Sequence, residues 1–290
     1  MISTVLFGGL GNQMFVYASS RAMALRLKTD LAMNIKQGFV DDVLYHRHYE
    51  LDAFNVQFKQ GGVTTFDIPF AKLFRKISRI IGLNILSPSY KFYKERRDSS
   101  GIDPRLFQIN QKNVFLEGYW INPRYFEDYK EIIRKEFTLK NPIAPHVLSE
   151  EQEIFAESEF MPVSIGVRRY QECTESIKNT MVKTDDDYYI KAMNKVAAEV
   201  NNPVFWVFSQ DQQWFKENVE SKVNYKVRYI KQENKGAIDD LYLMTRFQYH
   251  IISNSTFYWW GAWLAKSNLV CLPESYRTIK SSSSKWQVVE

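Results

Sequence analysis

Two adjacent arginines, Arg168 and Arg169, come directly after an apolar run that ends at Val167. Side chains alternate along a strand, so one arginine of the pair points to one face and the other points away. A guanidinium carries a planar fork of donors that can bind a pyrophosphate bidentately. The pair therefore predicts a phosphate contact, which we assign to Arg168, with a surface salt bridge as the alternative.

A second polar group, Asn254, Ser255 and Thr256, stands between a predicted strand and the aromatic segment that runs from Phe257 to Leu264. Hydroxyls and unpaired backbone N–H groups at the start of a helix form a site for anions. These three residues are therefore predicted to bind phosphate, whereas most of the aromatic helix is predicted to be core.

A third candidate group, Ser209-Gln210-Asp211, follows another apolar strand. The carboxylate of Asp211 can accept hydrogen bonds from a guanine edge or a ribose hydroxyl. It can equally cap the helix that follows, because aspartate is a preferred N-cap residue. The sequence leaves both interpretations open.

The glycine-rich turn at residues 8–13 follows the first predicted strand and opens a helix. Gly9 and Gly11 let the backbone approach a ligand, and the helix start offers N–H groups to an anion. A dinucleotide-binding turn is one alternative, but Met14 stands in place of its third glycine and Asp30 precedes the second strand. A tight turn without a ligand is the other.

These groups need a framework that brings strand ends together. Strand-like runs alternate with helical patterns, which predicts an α/β protein with parallel sheets. The proline-containing segment 141–145 predicts a division into domains 1–145 and 146–290. Ligands of such sheets lie at the carboxyl ends of the strands, so a binding cleft between the two halves is expected.

Composition limits the kinds of molecule that the protein is expected to bind and the compartment in which it is expected to work. The net charge of +5 is mild, and no zinc-finger, RNA-recognition or basic-zipper spacing occurs, so no nucleic acid is expected. Two cysteines, Cys173 and Cys271, indicate a reducing compartment. With no signal-like or membrane-spanning segment, the chain is predicted to be cytoplasmic. The basic stretch 72–97 is either a solvated helix or a peripheral contact with the inner face of the membrane.

No metal site is predicted. Asp185, Asp186 and Asp187 resemble a metal-binding carboxylate cluster, but they stand at a predicted helix start, where acids cap the helix and oppose its dipole. His46 and His48 have no neighbouring ligands that would complete a metal set.

Taken in order along the chain, these motifs resemble the α-1,2-fucosyltransferases of glycosyltransferase family 11. The residues that carry the resemblance are Gly8 to Phe15, Tyr49 to Phe54, Gly118-Tyr119-Trp120, Val167-Arg168-Arg169, Phe208 to Asp211 and Ser253 to Leu264. The last match is long and very specific.

The resemblance implies a GT-B-like fold, in which two Rossmann-type domains face a cleft. The N-terminal domain would hold the acceptor and the C-terminal domain GDP-fucose. The implied reaction is an inverting, metal-independent transfer of fucose to the 2-hydroxyl of a galactose-containing acceptor, which can be lipid-linked, in surface polysaccharide (O-antigen) synthesis. GDP-fucose is a substrate, and no cofactor is implied.

The resemblance also assigns roles to residues. By similarity, Arg168 binds the donor pyrophosphate, Asp211 contacts the nucleoside, Ser255 and Thr256 hold phosphate, and Asn12 reaches into the active site. Trp120 would stack on an acceptor sugar.

The sequence departs from the family at one place. The family usually reads H-x-R-R-G-D-Y, whereas Gly166 stands here in place of the histidine and Gln171 in place of the aspartate. Glu172, one position further, is the predicted general base, with a base-free mechanism as its rival. Another nucleotide sugar or linkage, and a non-catalytic sugar- or nucleotide-binding protein, are the alternative functions.

Overall fold

The structure, a computed structural model, describes residues 1–40, 42, 46–61, 90–170 and 183–290. The predicted base Glu172 and residues 72–89 of the basic stretch lie outside the described residues. The chain divides into two compact units, Met1–Lys140 and Asn141–Glu290. Each unit is built on a parallel β-sheet with helices, so the predicted parallel α/β class is confirmed.

The N-terminal unit contains a sheet with the strand order β3-β2-β1-β5-β4, in which all described pairs are parallel. The central strands β1 and β5 are largely buried, as expected for a sheet covered on both faces. The strands are β1 Ile2–Val5, β2 Leu31–Asn34, β3 Lys59–Gln60, β4 Lys91–Lys94 and β5 Val114–Glu117. The helices are α1 Leu10–Arg26, α2 Gln37–Val40, α3 Arg105–Gln108 and α4 Lys130–Glu136, with 3₁₀ turns at Leu51–Ala53, Pro123–Tyr125 and Glu127–Tyr129.

The C-terminal unit contains a second parallel sheet, with the strand order β11-β10-β9-β6-β7-β8. Its strands are β6 Met161–Val167, β7 Pro203–Ser209, β8 Lys226–Tyr229, β9 Tyr249–Ile252, β10 Leu269–Pro273 and β11 Trp286–Val289. Its helices are α5 Pro145–Ile154, α6 Asp186–Glu199, α7 Gln212–Asn218, α8 Ala237–Arg246 and α9 Thr256–Leu264, with 3₁₀ turns at Glu220–Lys222 and Glu274–Ile279.

The register of the central strands decides which side chains meet in the C-terminal unit. Val167 at the end of β6 pairs with Ser209 at the end of β7, and Gly166 pairs with Ile252 of β9. Three strands therefore end at nearly the same level. The residues that follow them leave the sheet side by side, and each of these segments carries one of the predicted functional groups.

The buried polar group His250 fixes β9 to its neighbours. Its Nδ1 lies 2.7 Å from Ser164 Oγ on β6, and its Nε2 lies 3.2 Å from the carbonyl oxygen of Phe247. Because a carbonyl only accepts, Nε2 carries the proton and Nδ1 accepts from the serine hydroxyl. Burial lowers the pKa of His250 from 6.5 to about 4.

His250 is expected to make the C-terminal unit sensitive to acid. His250 binds a proton near pH 6.5 in the unfolded chain but only near pH 4 in the native protein. The contribution of the neutral side chain to the free energy of unfolding is therefore fully present above pH 6.5 and is lost as the pH falls towards 4. The loss should reach about 3 kcal/mol. Urea unfolding followed by tryptophan fluorescence measures it, because every tryptophan except Trp120 lies in this unit. An equally steep pH dependence in His250→Gln would show that another group is responsible.

Candidate active site

The two arginines of the C-terminal unit contact different elements. The Arg168 guanidinium lies 4.7 Å from the ring of Tyr170, and its Nη1 donates to Gln210 Oε1 at 3.4 Å. Gln210 is exposed and follows the end of β7 directly. Arg168 therefore lies across the carboxyl ends of β6 and β7, where a bound ligand would meet its guanidinium.

Arg169 is held by the protein itself. Its guanidinium lies 3.9 Å from the centre of the Trp214 ring on α7, and its Nη1 donates to the carbonyl oxygen of Thr184 at 3.2 Å. Burial lowers the pKa of Arg169, while the nearby Tyr189 and Asp211 act in the opposite direction. These contacts indicate that Arg169 fixes the loop before α6 to α7.

Asp211 caps α7, so the capping interpretation of this residue is confirmed. Its Oδ1 accepts from the backbone N–H of Trp214 at 3.0 Å. The buried Ser209 shapes the same turn, because its Oγ accepts from the Asp211 N–H at 3.0 Å. A contact of Asp211 with a nucleoside stays a prediction. The carboxylate would have to make that contact while it also caps α7.

Helix α9 begins without a side-chain cap. Its N-cap residue Ser255 makes no capping hydrogen bond, although serine is well suited to one, and the Ser255 N–H donates to the Ser253 carbonyl at 2.8 Å. Asn254 Oδ1 accepts from Thr184 Oγ1 at 3.2 Å. The start of α9, with the Ser255 and Thr256 hydroxyls, thus has the polarity that suits a phosphate.

A glycine–tyrosine pair joins these strand ends, and the sequence did not reveal it. The OH group of Tyr258 on α9 donates to the carbonyl oxygens of Val167 at 3.2 Å and Phe208 at 3.0 Å. Its ring lies against Gly166, where an added Cβ would stand 2.3 Å from Tyr258 Cγ. The space beside residue 166 is therefore filled by the Tyr258 ring. A glycine inside a central strand was the available signal, since it often marks close approach of another group.

In the N-terminal unit, Gln13 organises the glycine turn. The side chain of Gln13 is buried, and its Nε2 donates to the carbonyl oxygens of Gly8 at 2.9 Å and His48 at 2.8 Å. Its Oε1 accepts from the backbone N–H of Glu50 at 3.0 Å. Gln13 therefore fixes the turn to residues 48–50, which explains structurally why glutamine follows Asn12.

An acidic side chain, Glu50, lies near the start of α1. Burial raises the pKa of Glu50, and the backbone N–H of Leu10, the first residue of α1, acts in the opposite direction. An acidic side chain there complements the helix dipole. A carboxylate of the protein thus lies near the helix start that we expected to serve a donor phosphate. The donor contact of Gly9 and Gly11 stays a prediction.

Trp120 does not lie where the sequence analysis expected an acceptor contact. The side chain is 1 % exposed and packs edge-on against Tyr125, so its ring faces are covered by the protein. The neighbouring Tyr119 is 36 % exposed, and its ring lies near Gly8 and Asn12. Both residues follow the end of β5, and Trp120 has a positive φ of +51°, so strand alternation does not predict which of the two is exposed.

The acidic group at α6 is structural. Asp185 Oδ1 accepts from the Tyr188 N–H at 3.0 Å, while Asp186 and Asp187 pair with Lys222 and Lys191. Within the described residues, no group of three or more His, Cys, Asp or Glu side chains is placed to hold a metal ion. Nor does that part of the chain contain a helix long and apolar enough to span a membrane.

Comparisons with known proteins identify what the chain is similar to. A family model described as glycosyl transferase family 11 matches residues 72–282. An α-1,2-colitosyltransferase of Escherichia coli is 30 % identical over 91 % of this chain and 87 % of that protein. The O-antigen biosynthesis glycosyltransferase WbnK of Escherichia coli is 26 % identical over 89 % of this chain and 88 % of that protein. Galactoside α-(1,2)-fucosyltransferase 1 of Rattus norvegicus is 27 % identical over 54 % of this chain and 43 % of that protein.

One solved structure supports the fold. Arabidopsis thaliana FUT1 with an arginine-to-lysine substitution, in complex with GDP, superposes with a TM-score of 0.52 at 12 % identity. The match covers 93 % of this chain and 69 % of that chain. Together with the two parallel-sheet units, it confirms the GT-B-like class predicted from the sequence.

Proposed function

The chain belongs to glycosyl transferase family 11, and we propose that it transfers fucose from GDP-fucose to the 2-hydroxyl of a galactose-containing acceptor. Two relatives are named for an α-(1,2) linkage, which supports attack by the 2-hydroxyl. The rat galactoside fucosyltransferase supports the donor sugar and the acceptor class. The name of the O-antigen relative supports a role in surface polysaccharide synthesis. A lipid-linked acceptor is part of the proposal.

The observation that carries this proposal is the convergence of Arg168 and the start of α9 at the carboxyl ends of the central strands. Loss of GDP leaves negative charge on its pyrophosphate. A guanidinium fork and an uncapped helix start can stabilise that charge, and they are in place before the reaction begins. Pre-positioned charge of this kind assists a single displacement with inversion, and the protein supplies it without a metal ion.

The proton of the attacking hydroxyl needs an acceptor. Glu172 stays our proposed base, by its sequence position alone, since it lies outside the described residues. In the base-free alternative the transition state resembles an oxocarbenium ion, the proton leaves late, and a donor phosphate oxygen or water accepts it.

Colitosyl transfer is the second candidate. The Escherichia coli α-1,2-colitosyltransferase matches this chain over more of its length than the rat fucosyltransferase does. Colitose is fucose without its 3-hydroxyl, so GDP-fucose and GDP-colitose offer the same pyrophosphate to Arg168 and differ at one sugar position. A site that hydrogen-bonds the 3-hydroxyl would strongly prefer GDP-fucose over GDP-colitose. With colitose bound, the polar group of the protein that binds this hydroxyl would have no partner.

The test of the proposed function is GDP release from each donor, with and without methyl β-D-galactopyranoside. We expect acceptor-dependent release from GDP-fucose, a product linked to the galactose 2-hydroxyl by NMR, and full activity in excess EDTA after dialysis. Faster turnover of GDP-colitose would establish the second candidate. Binding of GDP without any transfer would identify a non-catalytic binding protein, and a loss in EDTA that magnesium or manganese restores would refute the metal-free mechanism.

A further inference from the structure

We infer that Tyr119 is the acceptor-binding aromatic residue of the N-terminal unit, with its ring stacking on the apolar face of a neutral pyranoside. This inference rests on the proposed function for the class of acceptor, a galactoside. Tyr119 follows the end of β5, and Phe7, Gly8 and Asn12 beside its ring follow the end of the neighbouring strand β1.

The backbone around Tyr119 is shaped to turn this side chain outwards. Gly118 has φ +156° and Trp120 has φ +51°, a region that bulky side chains rarely adopt. The N–H groups of Tyr119 and Trp120 both donate to Glu95 Oε2, at 3.1 and 3.0 Å. The Glu95 side chain is 9 % exposed and pairs with Arg97 at 2.7 Å. A partly buried carboxylate thus binds both N–H groups of a turn in which Trp120 is buried and Tyr119 is exposed.

The ring of Tyr119 is supported on one side. Its centroid lies 4.4 Å from that of Phe7, at an interplanar angle of 55°. Burial raises the pKa of Tyr119, and the negative charge of Asp42 adds to the shift. A ring that is already packed loses little conformational freedom when a sugar stacks on it, which favours binding. A surface tyrosine without a function would not require positive φ angles at both neighbouring residues, as Tyr119 has at Gly118 and Trp120.

Polar groups suited to sugar hydroxyls lie along the glycine turn beside the ring. A Cβ built on Gly8 would lie 2.9 Å from Asn12 Nδ2 and 3.3 Å from Tyr119 Cε1, so the amide and the ring edge meet across Gly8. The guanidinium of Arg47 lies against Gly9, where an added Cβ would be 3.6 Å from its Cζ. The Asn12 amide and the Arg47 guanidinium can donate to a neutral sugar. The Asp42 carboxylate, which accepts from the Arg47 backbone N–H at 3.2 Å, can accept from it.

The experiment compares acceptor and donor parameters in the full-length protein. We expect Tyr119→Leu, which keeps an apolar contact with Phe7 but has no π face, to raise the KM for methyl β-D-galactopyranoside about tenfold. The Kd for GDP should stay within about twofold, and Tyr119→Trp should restore most of the acceptor affinity. Phe107→Leu is the matched control, because Phe107 is an exposed aromatic residue of the same unit, at 44 %, that stacks on Tyr125.

A galactoside KM within twofold of wild type in Tyr119→Leu would overturn the assignment, and so would an equal rise in Phe107→Leu. If Tyr119→Leu does not fold, saturation-transfer NMR on the wild-type protein decides instead. Irradiation of aromatic protons should then label H3, H4 and H5 of the galactoside most strongly, and failure to do so would overturn the assignment. A wild-type protein that binds GDP but transfers to no galactoside rejects the proposed function, whereas unchanged acceptor kinetics in Tyr119→Leu reject Tyr119 alone.

Discussion

Arg168→Ala is expected to lower kcat by about 10²–10³-fold, because the guanidinium would stabilise charge that develops on the leaving GDP. Arg168→Lys should rescue little, since a point charge cannot reproduce the planar fork of donors. Turnover of the donor with saturating galactoside measures both effects. The contacts of Arg168 with Gln210 and Tyr170 lie at a strand end rather than in the core, so the variant should keep its fold.

Arg169→Ala is the matched comparison, and it should affect stability more than turnover. This side chain is packed on Trp214 and bonded to the Thr184 carbonyl, so its loss should lower the melting temperature and affect kcat far less than loss of Arg168. A folded Arg169→Ala protein that is less active than a folded Arg168→Ala protein would mean that Arg169 faces the ligand.

Gly166→Ala is expected to destabilise the C-terminal unit strongly. The new methyl group would stand 2.3 Å from Tyr258 Cγ, so the ring would have to move and its hydrogen bonds to Val167 and Phe208 would be lost. Overpacking typically costs about 1–3 kcal/mol. Loss of the hydroxyl proton that the two carbonyls share adds about 1 kcal/mol. Because these bonds hold the ends of β6 and β7, affinity for GDP should fall with stability.

Denaturant unfolding and GDP titration test this expectation with two further variants. Gly236→Ala is the control, because an added Cβ there would come no closer than 4.0 Å to Asp239. Tyr258→Leu should relieve the clash, so the double variant should be more stable than the sum of its single changes implies. Strict additivity would show that residues 166 and 258 do not interact as described.

The strand ends of the C-terminal unit could be predicted because they depend on local patterns. Apolar runs followed by polar groups marked the ends of β6, β7 and β9, and side-chain alternation implied that Arg168 and Arg169 diverge. Acidic residues before a helical pattern correctly indicated a cap, which Asp185 provides. Each of these features depends on residues within a few positions of one another, and the family motifs occur at the same places.

Other features depend on residues that are far apart in the chain, and these only the tertiary structure decided. Tyr258 meets Gly166 across 92 positions, and its ring fills the space beside residue 166. Glu50 reaches the start of α1, where the sequence alone indicated an open anion site. Trp120 is buried and Tyr119 exposed because Glu95, 25 residues before Trp120, binds both of their N–H groups. Residue spacing predicts which side chains follow the end of a strand. Which residue packs beside them depends on contacts between segments that are distant in the chain.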